Sequence, residues 1–419
     1  GLFVCKLLAA AFVAANAYHT AFMAFDAQHE VRVAISVLIG GLLLLILYRP
    51  KWHGFLRFTL TGYVVLSLGL YAYTRTAMWL APDPGRSPVA LTSTRNVYLI
   101  GAESLPSAKG YRELYGVESL PHEDYLRANG FRVLDSAYSA DDTTLKTYSR
   151  MFEFGREITG DDVTRRSVFR TRNATFATFS KAGYRLQFIY KDTYFGLDEA
   201  LVDHAFPKSA FYACASVPEN FFYFLCRAEV VRTINRKVFG SAQELTPQLV
   251  AQRIHVAASS GEPWFTFYHH PFPLHSPNNH TYEDSKAVEA FREQVRQAVP
   301  RIRKETFETP IAAILKEDPG AVIVAMGDHG AALTRGARLD EPNDTFTKDE
   351  IVEDRYGVMV AVYPKDFCAN RIFEGSTTLF LIESVARCLN GDDSPTPQQL
   401  ARSRTFYWKD RMSLDNLRD

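Results

Sequence analysis

An excess of charge of either sign is missing from this chain: 47 basic residues balance 47 acidic ones, and the formal net charge is zero. A nucleic-acid coat or an acidic solvating tail would need such an excess, so neither class fits, and nucleic acid is not an expected partner. The Cys-x-x-Cys spacing is absent although there are five cysteines. A zinc finger or a thioredoxin-type site is therefore without its ligands. No internal repeat and no low-complexity segment occurs, which removes solenoids and linker arrays. Apolar residues are not scarce. They make up 47% of the chain, with 30 Phe and 21 Tyr, enough to bury more than one core and to exclude wholesale disorder.

The apolar residues are unevenly spread. Three stretches of near-bilayer length, 2–25, 33–48 and 58–80, lie in the first 81 residues with short polar joints between them. A single one would fit a buried core helix; three in succession predict membrane spans. Arg49, Lys51 and Arg57 cluster between the second and third, with Trp52 at the expected interface. Excess Lys and Arg in a short loop marks it as cytoplasmic, so the third span delivers everything after Pro82 to the outer side. The chain starts on Gly1 rather than Met, which leaves room for further spans upstream. The expected division is a transmembrane anchor over 1–81, a Pro/Gly-rich linker over 82–95 and an extracytoplasmic domain over 96–419.

Cys5 lies in a span, and Cys214, Cys226, Cys368 and Cys388 form an even set on a domain expected in an oxidising compartment. Disulfides Cys214–Cys226 and Cys368–Cys388 fit that setting, while sequence alone leaves the pairing open.

Short apolar runs at 96–101, 185–190, 264–268, 321–326 and 357–363 read as buried strands, and helical patterns such as 287–315 and 377–389 separate them. Strands alternating with helices predict an α/β domain with a mostly parallel central sheet covered by helices. Ligands of such sheets gather at the carboxyl ends of strands. Two runs end in polar residues there, Gly101-Ala102-Glu103-Ser104 and Gly327-Asp328-His329-Gly330. Asp-His-Gly alone is equally compatible with a turn around a satisfied histidine. A carboxylate placed like Glu103 favours the alternative, a shared divalent cation.

These residues resemble the alkaline phosphatase/sulfatase superfamily. The closer resemblance is to its membrane-anchored branch, the phosphoethanolamine transferases and the lipoteichoic acid synthases, which are phosphoglycerol transferases. It implies a sulfatase-like domain after the anchor, with a threonine that is both nucleophile and metal ligand near a helix start. The segment Asp141-Asp142-Thr143-Thr144-Leu145-Lys146-Thr147-Tyr148-Ser149-Arg150-Met151-Phe152 occupies that place. Its Met-Phe pair is most similar to a register with Thr144 as nucleophile, Thr143 being the rival. The resemblance also implies that Glu103, Asp328, His329 and Thr144 hold one cation, zinc or manganese. Such a cation lowers the pKa of a threonine hydroxyl, and helix-terminal amides favour a phosphorylated one.

Histidines recur at Tyr268-His269-His270-Pro271-Phe272-Pro273-Leu274-His275-Ser276-Pro277. His270 and His275 reproduce a spacing of the phosphoethanolamine branch, while His269-His270-Pro271-Phe272 fits the lipoteichoic one; either way the resemblance gives them a substrate phosphoryl group. Lys191, with Tyr194 or Phe195, looks like the part that meets an anionic head group. Three departures narrow the choice. No histidine follows within 331–346, unlike the phosphoethanolamine branch, and the Cys/Ser-x-Pro-x-Arg signature of sulfatases is absent near 138–152. Nor do extra aspartates accompany Glu103 as a two-metal phosphatase would need. The implied activity is transfer of a phospho-alcohol head group, phosphoethanolamine ahead of phosphoglycerol, from a phospholipid donor to a lipid or glycan acceptor. The implied place is the bacterial cytoplasmic membrane, with the domain on its periplasmic or extracellular side. A hydrolase using water and a non-catalytic envelope scaffold are the competing expectations.

Overall fold

The computed structural model describes residues 89–158, 162–170, 173–190, 195, 197, 202–206, 245–271, 282–335, 337 and 344–395. The three expected spans lie outside these residues, as do Lys191, Tyr194, His275, Cys214 and Cys226. Among the described residues no helix is long and apolar enough to cross a membrane.

Among the described residues seven strands form one sheet: β1 (Val97–Ala102), β2 (Arg132–Tyr138), β3 (Arg185–Ile189), β4 (His204–Phe206), β5 (Trp264–His270), β6 (Val322–Gly327) and β7 (Gly357–Tyr363). Their order is β2-β7-β6-β1-β5-β3-β4. β1 runs parallel to β5 and β6, and β3 parallel to β4 and β5, whereas β7 is antiparallel to β2 and β6. The sheet is thus mostly parallel, as the apolar runs require. All five expected strands are present. β1 and β6 are buried along their whole length, which explains why they read as unbroken apolar runs rather than alternating ones.

Alternate residues of β1 feed two cores. Tyr98, Ile100 and Ala102 pack with Tyr268, Ile323 and the helices Ala108–Tyr115 and Ser285–Ile302, while Val97 and Leu99 pack with Phe265, Phe267 and the helix Thr144–Phe152. The expected helix over 287–315 is one path in three pieces: Ser285–Ile302, a π-helical turn Arg303–Glu308, and Thr309–Glu317. Pro300 and Pro310 lie at its joints, where a missing amide hydrogen and a ring clash break the regular ladder. Cys368 and Cys388 form a disulfide. Residues 89–95 are irregular and fastened to the domain, with the Thr92 amide donating to Asn390 Oδ1 at 2.9 Å and Arg95 Nε to the Gly320 carbonyl at 2.7 Å.

Register brings chemistry to one edge. Ala102 pairs with His270 on one side and with Gly327 on the other, so Glu103, Asp328 and the end of β5 emerge side by side. Packing beneath them includes one costly residue. His122 is fully buried, stacks on Phe307 at 6.4 Å, and has no hydrogen-bond partner on either ring nitrogen. Burial, with a smaller push from Arg127, lowers its pKa to about 3. The folded chain therefore keeps His122 neutral while the unfolded chain takes up a proton near pH 6.5. Stability from this group is complete above pH 6.5 and is lost progressively as pH falls toward about 3. The neighbouring Glu123, raised to about 7 mainly by burial, tilts the other way and loses stability as pH rises through 7. Urea unfolding of His122→Phe isolates the first effect: near-wild-type stability at pH 8, and an advantage over wild type that grows below pH 6.5. An advantage that stayed constant with pH would assign acid sensitivity elsewhere.

Candidate active site

The site begins with a helix start. Thr143 is extended (φ −142°, ψ 151°) and serves as N-cap by position, its side chain making no capping bond. Thr143 is exposed, whereas Thr144, the first helical residue, is turned inward and 5% exposed. Its Oγ1 lies 3.3 Å from His329 Nε2. The turn is pinned by ions: Lys146 Nζ sits 2.7 Å from Asp142 and 3.3 Å from Asp141, and Arg150 donates to the Ala140 carbonyl at 2.6 Å. Burial pushes the Asp142 carboxyl up, but Lys146, the hydrogen bond with Asp141 and His329 together outweigh it and hold the group below the usual carboxylate range.

Asp328 and His329 are buried at the end of β6. Asp328 Oδ1 accepts two backbone amides, from Ser104 at 2.7 Å and from His329 at 2.8 Å. Ser104 offers its amide from a left-handed conformation (φ 54°), an uncommon one for a non-glycine residue. Burial alone would raise the Asp328 carboxyl; the His329 and His269 imidazoles and Thr144 outweigh it and keep the group ionised well below the ordinary range. His329 Nδ1 lies 2.7 Å from the Gly330 carbonyl, which can only accept, so Nδ1 carries the proton and Nε2 presents its lone pair to Thr144.

The flanking glycines follow from close packing. A Cβ at Gly327 would stand 2.1 Å from the Leu105 carbonyl oxygen, and one at Gly330 would stand 1.8 Å from that of Asp354. Neither neighbour is a side chain that can swing aside.

Of the two adjacent histidines, the structure brings His269 to Asp328. Its Nε2 is 3.7 Å from Asp328 Oδ2, too long for a hydrogen bond. His270, one residue on and therefore on the opposite face, meets the Tyr268 hydroxyl through Nδ1 at 2.9 Å. Glu103 is half-buried at the end of β1, its amide bonded to the His270 carbonyl at 3.0 Å. Burial first, then the Asp328 carboxylate and that of Glu103, raise the Tyr148 phenol.

Four buried polar atoms here have no hydrogen-bond partner: Asp328 Oδ2, His269 Nε2, the Tyr148 hydroxyl and Ser104 Oγ. Buried orphans in a native fold point to something bound among them. A carboxylate oxygen left over from its amide clamp, an imidazole lone pair and a hydroxyl at 3.3 Å form a donor set that suits zinc or manganese. Adjacent ligands of a tetrahedral ion with bonds of about 2.0–2.2 Å stand about 3.3–3.6 Å apart. The 3.7 Å between Asp328 Oδ2 and His329 Nε2 is close to that. Glu103 is further out. Among the described residues, only Cys368, Cys388 and Asp393 bring three His, Cys, Asp or Glu donors within 4.8 Å of one another, and two of those are spent in the disulfide. Glu103, Asp328 and His329 do not form such a close group.

Sequence reasoning did not single out Lys146 or Tyr148. Their helical spacing was the available signal, since Tyr148 lies one turn beyond Thr144 on the same helix face.

No protein-family profile and no curated protein sequence matches the chain. Solved structures do. The zinc complex of the periplasmic domain of EptC from Escherichia coli is 14% identical, covering 71% of this chain and 84% of that one, with a TM-score of 0.43. The soluble domain of lipooligosaccharide phosphoethanolamine transferase A from Neisseria meningitidis is 13% identical, with 71% and 84% covered and a TM-score of 0.37. A protein of the alkaline phosphatase superfamily from Vibrio parahaemolyticus is 14% identical, with 74% and 75% covered and a TM-score of 0.42. These are the groups that the motifs resemble. At such identities and TM-scores the matches assign no activity, metal or residue role to the chain.

Gly330→Ala tests the packing around the Asp-His pair. Its Cβ would overlap backbone, so a destabilisation of about 2 kcal/mol or more is expected, read as a lower denaturation midpoint. Gly116→Ala is the control: its Cβ meets nothing within 4 Å, and only its left-handed backbone (φ 65°) resists, at about 1 kcal/mol. Equal losses in the two variants would deny the close approach.

Proposed function

We propose that this chain is a membrane-anchored, metal-dependent transferase acting outside the cytoplasmic membrane of a bacterium. It takes a phospho-alcohol head group from a phospholipid onto Thr144 and passes it to a lipid or glycan acceptor. The observation that carries the reading is the inward-facing Thr144 hydroxyl at a helix start, 3.3 Å from the lone-pair nitrogen of His329 and beside the leftover oxygen of Asp328. Phosphoethanolamine is favoured over phosphoglycerol by the spacing of His270 and His275.

Glu103, Asp328, His329 and Thr144 would hold the cation, zinc or manganese. Bound there, it lowers the pKa of the Thr144 hydroxyl and offsets charge on the phosphoryl oxygens. Thr144 Oγ1 loses its proton and attacks phosphorus, the bond to the diacylglycerol oxygen breaks, and that oxygen takes up a proton. The first-turn amides of the helix face the resulting phosphothreonine. An acceptor hydroxyl then attacks the same phosphorus, loses its proton, and Thr144 is restored. His269 is the described histidine best placed to donate to a phosphoryl oxygen. His275, Lys191 and Tyr194 keep the head-group role that the resemblance gives them.

Intact mass spectrometry of the detergent-purified chain, incubated with phosphatidylethanolamine or phosphatidylglycerol, tests this. The expected result is an adduct of one head-group mass on Thr144, absent from Thr144→Ala, with diacylglycerol release lowered by about three orders of magnitude or more. An adduct on Thr143 would correct the register. Undiminished diacylglycerol release by Thr144→Ala would sink the covalent route, and free head group with no modified acceptor would favour the hydrolase.

A further inference from the structure

Tyr148 is fully buried beneath the site, yet its hydroxyl has no hydrogen-bond partner. A buried phenol normally finds one, because an unmade bond costs about 1–3 kcal/mol. The ring cannot turn away. Phe267, His269 and Phe195 meet it edge-on at centroid distances of 4.9, 5.4 and 5.7 Å. The chain backbone makes space for the hydroxyl: a Cβ at Gly101 would lie 1.9 Å from the Tyr148 oxygen and 3.0 Å from Cζ. Gly101 lies within β1, two residues before Glu103, so the hydroxyl is aimed at the strand end where Glu103 and Asp328 emerge. A phenol is protonated at neutral pH and therefore a donor. Asp328 Oδ2, 3.7 Å from Nε2 of the His269 ring that meets Tyr148 edge-on, is an orphaned acceptor.

We propose that Tyr148 is a positioning residue of the metal centre: its hydroxyl donates to the Glu103 or Asp328 carboxylate and fixes it for the cation, and Gly101 is the space that lets it do so. The inference rests on the metal-centre reading above and adds to it a residue that touches neither cation nor substrate. Partners of this kind around a metal ligand typically change affinity by about ten- to hundred-fold when removed.

The test is cobalt(II) titration of the full-length chain in detergent, followed through the visible d–d bands, with thermal unfolding of the metal-free protein alongside. Tyr148→Phe removes only the hydroxyl. Its metal-free stability should be unchanged or higher, since an orphaned buried group is gone, while cobalt affinity falls about ten- to hundred-fold and the bands shift. A merely structural role would move stability and leave the spectrum alone. Gly101→Ala should weaken cobalt binding by displacing the hydroxyl, and it should cost less stability in the Tyr148→Phe background than in wild type. Tyr148→Phe binding cobalt with wild-type affinity and bands would overturn the proposal. If wild type binds no more cobalt than Asp328→Asn, the metal-centre reading itself fails and the proposal goes with it.

Discussion

Asp328 is a carboxylate with no access to water, a state that costs several kcal/mol unless paired or bonded. The two amides on its Oδ1 meet part of that cost, each charge-assisted bond being among the stronger kinds. They also divide the group into two unlike halves. Oδ1 belongs to the backbone of two different strand ends, and Oδ2 is left facing Thr144, His269 and His329. Much of the surrounding architecture serves this clamp. Ser104 adopts a left-handed conformation to supply one amide, and Gly327 and Gly330 give up side chains so that Leu105 and Asp354 can close around it. Without the clamp the carboxylate would be free to rotate, and the leftover oxygen would have no fixed direction.

The sheet does the remaining alignment. Because β1, β5 and β6 are parallel and in register at Ala102, His270 and Gly327, their polar ends meet without any long loop having to reach across. Thr144 arrives from the helical layer above, carried by a helix whose buried face is tied to Phe265 and Phe267. The Asp141, Asp142, Lys146 and Arg150 ions lock the first turn, so Thr144 is positioned by covalent spacing and electrostatics rather than by the cation it would share.

Strands buried on both faces were legible because their apolar runs are unbroken. β2 and β4 were not read from the sequence. β2 is an edge strand carrying Arg132 and Asp135 with an irregularity between Leu134 and Ala137, and β4 is three residues long. At the site, Gly-Asp-His-Gly was readable because it follows directly on an unbroken apolar strand run, where ligands of such sheets gather. The choice between Thr143 and Thr144 depends on which hydroxyl faces inward at a helix start, a matter of one residue in phase. The same one-residue alternation separates His269 from His270. Tyr148 was hidden for a different reason: at helical spacing within a Phe-rich core, an aromatic residue looks like packing, and only its unpartnered oxygen distinguishes it.

The placement of β1 has a consequence in folding time. The first of the described strands is also a central one, and the Ser104 amide that clamps Asp328 must find it across 224 positions of chain. A chain that emerges N-terminus first therefore carries an almost wholly apolar strand with neither neighbour made until β5 and β6 have followed. Contacts of such long range are slow to form, and the open edges of β1 are sticky meanwhile. The candidate site is thus assembled only once β6 has joined β1, late in the order in which the chain emerges.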